Sequence, residues 1–135
     1  MYEYTTQVRV RYADTDQMGY VYYGNYATFY EVGRVESLRN LGLSYRELEE
    51  QGVMMPVYTC KSKYLAPAKY DELLSIKTLI RQKPGVRIQF DYEIYNEADK
   101  LIHQGETVLV FVNMKTGRPC PQPKAMAELL DPFFE

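Results

Sequence analysis

The sequence predicts a single α+β domain, spanning residues 1–135, in which one long helix packs against an antiparallel sheet. Three observations predict this class. A helical pattern over Tyr26–Leu41 is followed by a series of strand patterns, and no repeat, low-complexity tract or linker divides the chain. The 135 residues are enough for one core and too few for two. The apolar fraction of 46% and the charged fraction of 25% are typical of a globular protein.

The first elements are a strand and an acidic, turn-rich loop. Val8 and Val10 alternate with polar neighbours, which predicts a strand over residues 5–12. The stretch 13–24 is rich in turn-forming residues, and Asn25 is expected to cap the long helix that follows. Gly42 is expected to end that helix.

The long helix is expected to be buried on most sides. One face carries aromatic and small residues, and we expect it to contact the sheet: Tyr26, Phe29, Tyr30, Gly33 and Ser37. Glu31, Arg34 and Arg39 are expected on the other faces. A glycine inside a helix costs about 1 kcal/mol relative to alanine. We therefore interpret Gly33 as a position that permits close backbone packing.

The second half of the chain reads as a short helix and four strands. Ser44 and Glu47 match a capping box, which predicts a helix that Gly52 ends. The strand patterns cover residues 57–65, 72–82, 86–94 and 101–113, and a short helix is predicted over 123–130. A single layer of sheet leaves its edges open, so we expect edge-to-edge pairing into a homodimer.

Composition and charge exclude several classes of function. A net charge of -2 gives no reason to expect nucleic-acid binding. The apolar run 108–112 is far shorter than the roughly 20 residues of a spanning helix, so no membrane insertion is expected. Residues 1–4 show no basic segment followed by an apolar one, so the prediction is a cytoplasmic protein. Cys60 and Cys120 are then expected to be free thiols.

Several chemistries lack the residues that they need. His103 is the only histidine, and no G-x-S-x-G motif supplies a nucleophilic serine. A zinc site needs clustered ligands, and the acidic loop fails as a calcium loop because Met18 and Asn25 stand where ligands are required. We therefore expect no metal and no cofactor, and we interpret His103 as a structural or surface residue.

The acidic loop retains two interpretations. Asp14 and Asp16 can be turn residues that accept hydrogen bonds from nearby backbone amides. Alternatively, the apolar and aromatic residues around Asp16 favour a functional carboxylate. The start of the long helix is close by, and its free N–H groups and dipole are suited to stabilising an oxyanion.

The segment from Val8 to Tyr26 resembles the signature of the 4-hydroxybenzoyl-CoA thioesterase family, whose members are hot-dog-fold acyl-CoA thioesterases. It is similar in particular to the branch found beside the tol-pal cell-envelope genes. The likeness continues through residues 29–34, 43–45 and 115–119. It implies a long central helix wrapped by an antiparallel sheet, with active sites at a homodimer interface and dimers that often pair into tetramers.

The resemblance also implies roles for individual residues. Asp16 takes the position of the catalytic carboxylate, and Asp14 takes a position that supports the loop. The backbone N–H of Tyr23 matches the donor to the thioester carbonyl oxygen, and Gly24 joins it in binding the substrate, as do Met18 and Gly19. Many members of the tol-pal-associated branch carry histidine where this chain has Tyr23, whereas the 4-hydroxybenzoyl branch carries tyrosine there. The chain therefore mixes the features of these two branches.

The implied reaction is hydrolysis of an acyl thioester, carried by CoA or by acyl carrier protein. An ionised aspartate can attack the carbonyl or deprotonate a water molecule, and the sequence leaves both routes open. Two other functions remain: a hot-dog dehydratase and a non-catalytic module that binds acyl thioesters. Four basic residues could meet CoA phosphates, but solvated strand faces are the default assignment for Lys61, Lys63, Lys83 and Arg87.

Overall fold

A computed structural model describes residues 1–135 and contains a five-stranded antiparallel sheet, a two-stranded ribbon and three α-helices. The strands are β1 (Tyr2–Arg9), β2 (Val53–Met54), β3 (Val57–Tyr64), β4 (Leu73–Ile80), β5 (Arg87–Tyr95), β6 (Leu101–Val110) and β7 (Val112–Asn113). The helices are α1 (Tyr26–Leu41), α2 (Tyr45–Glu50) and α3 (Lys124–Leu130). The sheet order is β1-β4-β5-β6-β3, and β2 pairs with β7. The predicted α+β class is confirmed.

The long helix α1 occupies the residues that the sequence predicts. Gly42 ends it in the left-handed conformation, with φ of 95°, which glycine adopts without a steric penalty. The helix packs over β1, β4 and β5. A Cβ atom on Gly33 would stand 2.5 Å from the Thr78 hydroxyl oxygen on β4. Gly33 therefore permits the close packing that the sequence analysis expected.

The helical period places Arg34 off the face of aromatic and small residues, yet this position is also buried. Its side chain is buried, with 6% of the residue's surface exposed. The Nε atom donates to the Tyr45 hydroxyl oxygen at 3.0 Å, and Nη1 donates to the Tyr92 hydroxyl oxygen at 3.0 Å. The helical period alone could not show this, because the two tyrosines that bind Arg34 come from α2 and β5, which are distant in the sequence.

The inner face of the sheet forms the core, and β5 shows it most clearly. Ile88, Phe90, Tyr92 and Ile94 are buried, as their alternation predicts, while Val86 lies before the strand and is exposed. Beneath the first half of α1, the Tyr30 ring stacks on the Tyr92 ring with 4.4 Å between centroids. The same Tyr30 ring lies directly over Gly105 of β6.

Strand boundaries differ from the predicted ranges by a few residues at the ends. β1 begins at Tyr2 rather than at residue 5, because the Tyr2 hydroxyl donates to the Ser37 carbonyl at 2.7 Å and ties the strand to α1. β6 ends at Val110, and the buried Phe111 separates it from β7. The N–H of Phe111 donates to the Val86 carbonyl instead of continuing the ladder with β3.

The two edges of the sheet are covered to different extents. The residues of β1 alternate between covered and exposed, because α1 packs over one face of the strand. Along β3 all but one of the eight residues are exposed, so both of its faces are open. None of the helices combines the length and the apolar character that a membrane-spanning helix requires.

Replacing Gly105 tests the close packing of Tyr30 on the sheet. A Cβ atom at this position would stand 2.3 Å from the Tyr30 ring, so we expect Gly105→Ala to lower the free energy of unfolding by about 1–3 kcal/mol. Gly85→Ala is the matched control, because nothing lies within 4 Å of its Cβ position. Urea unfolding of the two variants measures the difference, and equal stability would contradict this packing.

Candidate active site

Hydrogen bonds to one carbonyl group fold the acidic loop against the start of α1. The Asp14 carbonyl oxygen accepts from the Tyr22 N–H at 2.9 Å and from the Asn25 side-chain amide at 2.8 Å. Asn25 occupies the N-cap position of α1, as expected, but its side chain makes no cap hydrogen bond to the helix. Asn25 instead links the helix start to the loop eleven residues earlier.

The Asp14 carboxylate is buried and fully occupied by Arg11. Its Oδ2 atom accepts from the Arg11 backbone N–H at 2.8 Å, and Oδ1 accepts from the Arg11 guanidinium at 3.0 Å. Burial alone would raise the pKa of Asp14, but these hydrogen bonds outweigh it and lower the pKa below its usual value. Asp14 is thus held as an ionised carboxylate that shapes the loop, and both of its oxygens are already hydrogen-bonded to Arg11.

The Asp16 carboxylate is half-buried and only partly occupied. Its Oδ1 atom accepts from the Met18 N–H at 2.9 Å, and no group of the protein donates to Oδ2. The chain turns sharply after it, and the Gly19 N–H donates to the Asp16 carbonyl at 3.0 Å. Gly19 has φ of 80°, a conformation that favours glycine. The turn leaves one oxygen of Asp16 free to act on another molecule.

Two backbone amides just before α1 are also free. A 3-10 turn over Tyr23–Asn25 leads into the helix, and Tyr22 before it is extended, with φ of -64° and ψ of 135°. The N–H groups of Tyr23 and Gly24 donate to no group of the protein. Free N–H groups at a helix start carry partial positive charge and can bind a developing oxyanion.

A cavity of about 380 Å³ is lined by both Asp16 and Tyr23, and we call it the Asp16 cavity. Asp16, Met18 and Tyr23 line it, as the sequence analysis expected for a common site. Gly19 instead lines a neighbouring cavity of about 330 Å³ on the other side of Asp16, and Gly24 lines neither. The remaining lining residues are Tyr20, Val21, Tyr26, Tyr64, Leu65, Ala66 and Pro67.

Residues at the end of β3 complete the Asp16 cavity, and the sequence analysis did not identify them. Tyr64 and Leu65 reach it because the loop is pinned beside this segment by the Val21 N–H, which donates to the Ala68 carbonyl at 2.8 Å. In the sequence, the only local signal here is Pro67, which indicates that the strand predicted over residues 57–65 ends before it. Nothing local to residues 64–67 pairs them with residue 16.

His103 lies behind the wall of this cavity, which confirms the structural interpretation and excludes the surface one. It is 0% exposed, and its ring stacks on the Tyr26 ring with 3.9 Å between centroids. The Tyr30 hydroxyl hydrogen-bonds to Nε2, and Nδ1 has no partner. Burial lowers the pKa of His103 to about 4, so the ring is neutral at physiological pH. It does not line the cavity.

The four basic residues weighed for CoA phosphates lie away from the Asp16 cavity. Lys83 pairs with Asp131 at 3.1 Å, and the Arg87 guanidinium lies 4.8 Å from the centroid of the Tyr58 ring. Lys61 and Lys63 are exposed on the outer face of β3, beside carboxylates of β5 and β6. Their assignment to solvated strand faces agrees with these positions.

Comparison with known proteins gives a consistent family assignment. Residues 10–130 match the family model described as the thioesterase-like superfamily. The putative acyl-CoA thioesterase YneP of Bacillus subtilis is 34% identical over 122 residues, which cover 90% of this chain and 88% of YneP. The acyl-CoA thioester hydrolase YbgC of Escherichia coli is 35% identical over 119 residues, which cover 88% of this chain and 89% of YbgC.

Solved structures have the same architecture. A DHNA-CoA thioesterase from Staphylococcus aureus aligns with a TM-score of 0.89 and 32% identity, covering 100% of this chain and 97% of that one. A mutant 4-hydroxybenzoyl CoA thioesterase complexed with 4-hydroxybenzoyl CoA aligns with a TM-score of 0.84 over 94% of this chain and 97% of that one. Its identity is 23%, so this second likeness is one of fold.

The buried His103 predicts a pH dependence of stability. The unfolded chain takes up a proton near pH 6.5, whereas the folded protein does so only near pH 4. The unfolded state therefore binds more protons between these values, and the free energy of unfolding falls by about 2 to 3 kcal/mol as the pH drops through that window. His103→Phe keeps an aromatic ring against Tyr26 but cannot take up a proton. Urea unfolding across the window, at one protein concentration, should show a flatter profile for this variant, and parallel profiles would contradict the assignment.

Proposed function

The chain belongs to the thioesterase-like superfamily, and from this membership we propose that it hydrolyses acyl-CoA thioesters with Asp16 as the catalytic carboxylate. The activity itself follows from its relatives, because proteins similar along nearly their whole length are named as acyl-CoA thioesterases. The assignment to Asp16 rests on one observation. Its unoccupied carboxylate oxygen borders the same cavity as Tyr23, whose backbone N–H is also free.

The free amides supply the electrostatic part of the mechanism. A thioester carbonyl lodged against the helix start receives hydrogen bonds from the N–H groups of Tyr23 and Gly24. These bonds polarise the carbonyl and strengthen as negative charge develops on its oxygen, which is the requirement for lowering the barrier. The donors belong to the backbone and are fixed by the 3-10 turn, so they do not have to reorganise during the reaction.

Asp16 supplies the covalent or acid–base part. In one route its free oxygen attacks the carbonyl carbon, the C–S bond breaks, CoA leaves as the thiolate, and water then hydrolyses the mixed anhydride. In the other route Asp16 removes a proton from a water molecule, which attacks the carbonyl directly. Both routes use the same geometry. A dehydratase would need an accessible histidine, and His103 lies outside the cavity.

The exposed edge strand supports a homodimer as part of this proposal. β3 presents unpaired backbone groups and uncovered side chains on both faces, and pairing with a second β3 would cover them. The Asp16 cavity lies at the end of this strand, so the active site would border the dimer interface. A tetramer formed from two such dimers would leave the contact between the β3 edges intact. The free thiols of Cys60 and Cys120 suit a cytoplasmic location.

Replacing the catalytic carboxylate tests the proposal directly. Asn at position 16 keeps the oxygen that accepts from the Met18 N–H but can neither attack a carbonyl nor accept a proton. We expect Asp16→Asn to lower kcat/KM for acyl-CoA hydrolysis roughly 10³-fold, measured by the release of free thiol. Asp99→Asn is the matched control, because Asp99 lies in a turn at φ of 61°, which asparagine tolerates. Binding of acyl-CoA by the unchanged protein without thiol release would instead identify a binding module.

A second substitution tests the backbone donor. Tyr23 begins a 3-10 turn, Tyr22 before it is extended, and its N–H bonds to no protein group, so proline fits at this position. We expect Tyr23→Pro to lower kcat roughly 10²-fold with little loss of stability. Tyr23→Ala, which removes the side chain and retains the N–H, is the control. Equal activity in the two variants would show that this amide is not the oxyanion donor.

A further inference from the structure

A second apolar cavity, of about 230 Å³, opens between α2 and β2. We call it the α2–β2 groove, and its lining residues are Tyr45, Leu48, Glu49, Val53, Met54, Met55 and Pro56. It leads directly into the first residue of β3, Val57, whereas the Asp16 cavity lies at the last, Tyr64. The two cavities therefore flank opposite ends of the same exposed edge strand.

A buried cation polarises one wall of the α2–β2 groove. Arg34 is almost fully buried and forms no ion pair with any carboxylate; its guanidinium instead donates to the hydroxyls of Tyr45 and Tyr92. A buried charge that lacks a counter-ion is costly, and here the hydroxyls of the two tyrosines offset only part of that cost. Tyr45 lines the groove, and Arg34 lies behind it.

The two tyrosines differ in where their own protons go. The Tyr92 hydroxyl is satisfied on its far side by Thr107, with 2.6 Å between the oxygens. The Tyr45 hydroxyl oxygen accepts from Arg34, and its proton has no acceptor in the protein. Glu31 lies near Tyr45 but forms no hydrogen bond with it. Burial raises the pKa of Tyr45, so this hydroxyl stays protonated at neutral pH. Tyr45, which lines the groove, therefore carries a hydroxyl proton without an acceptor, and the neighbouring cation strengthens this donor.

Antiparallel pairing of two β3 strands would bring the two cavities together. A two-fold axis near the middle of the strand sets the end of one β3 beside the start of the other. Cys60, Ser62 and Tyr64 all face the helix side, since they pair with Thr107, Gly105 and His103 of the inner face. Strands that pair in one sheet keep the same faces together. The Asp16 cavity of one subunit then adjoins the α2–β2 groove of the other.

We propose that the acyl group of the substrate extends from the Asp16 cavity into the α2–β2 groove of the partner subunit, where the hydroxyl of the partner's Tyr45 donates to an oxygen at the far end of the acyl group. The substrate class is then an acyl-CoA with an apolar body and a distal hydroxyl or carbonyl oxygen. Met54 and Met55 contact the apolar body, and Arg34 positions the Tyr45 donor. This inference rests on the proposed thioesterase function and on the homodimer.

Matched pairs of substrates test the distal hydrogen bond. Each pair consists of an acyl-CoA and its terminally hydroxylated analogue, with chains from butanoyl to decanoyl and with benzoyl and 4-hydroxybenzoyl. We expect Tyr45→Phe to lower the ratio of kcat/KM values, hydroxylated over plain, about tenfold for the pair whose length fits. Tyr95→Phe is the control, because the Tyr95 hydroxyl donates to Glu93 and lines neither cavity. An unchanged ratio in every pair would overturn the assigned hydrogen bond.

A mixed dimer tests whether the groove acts across the interface. A dimer of one Asp16→Asn chain and one Tyr45→Phe chain, isolated by two different tags, contains a single intact Asp16. If the groove belongs to the partner, that Asp16 works with an unaltered Tyr45, and the substrate ratio returns to the wild-type value. If the groove acts within its own chain, the mixed dimer keeps the lowered ratio of Tyr45→Phe, and the proposal is wrong.

A second variant, Met54→Trp, tests the groove independently in case Tyr45→Phe does not fold. Met54 is 40% exposed, so Met54→Trp can fill the groove from its rim. We expect it to slow hydrolysis of the longer acyl-CoAs relative to acetyl-CoA, and the mixed dimer with Asp16→Asn to restore the wild-type profile.

A bismaleimide cross-link between two Cys60 thiols, made in a Cys120→Ser background, would support the strand pairing, and its absence would overturn it. If Asp16→Asn retained full activity, the assignment of Asp16 as the catalytic carboxylate would fail, whatever the groove did.

Discussion

The close approach of α1 to the sheet is the constraint on which the rest of the structure depends. Gly33 lets the helix backbone come within contact of Thr78, and Gly105 lets the Tyr30 ring lie flat on β6. With these two contacts fixed, the start of the helix stands beside the start of β6 and the end of β3, against the ring of His103. That position brings the free amides ahead of α1 beside Tyr64. A helix held farther from the sheet would leave the amides in open solvent.

The two aspartates of the loop show how local hydrogen bonding separates structural and chemical roles. They lie two residues apart, and each accepts a backbone N–H. Asp14 receives further donors from the Arg11 guanidinium and is buried, so its charge is neutralised in place. Asp16 keeps an oxygen without a donor at the border of a cavity. A carboxylate that is fully hydrogen-bonded is a poor nucleophile and a poor base, and this contrast is why we propose the catalytic role for Asp16 and not for Asp14.

The sequence predicts the fold and the centre of the site, because both leave local patterns. The period of α1, the left-handed Gly42 and the alternation along β5 each depend on residues close in the chain, and the structure confirms them. The burial of Arg34 and the meeting of Asp16 with Tyr64 depend on how distant segments pack, and no local pattern records them. Asn25 shows the same limit. Its residue type suits a helix cap, but the carbonyl of Asp14, eleven residues away, takes its side chain.

The open edge of β3 also has a consequence for a subunit that has not yet formed the homodimer that we propose. In a lone subunit the edge strand β3 is exposed, and an exposed edge strand can pair incorrectly with strands of other chains. Lys61 and Lys63 stand at alternate positions on its outer face. Stacking many copies in register would bring these like charges together, whereas a single antiparallel pair keeps most of them apart. In the homodimer that we propose, dilution would therefore lower activity in two ways, by loss of the paired edge and by misassociation of the exposed strands.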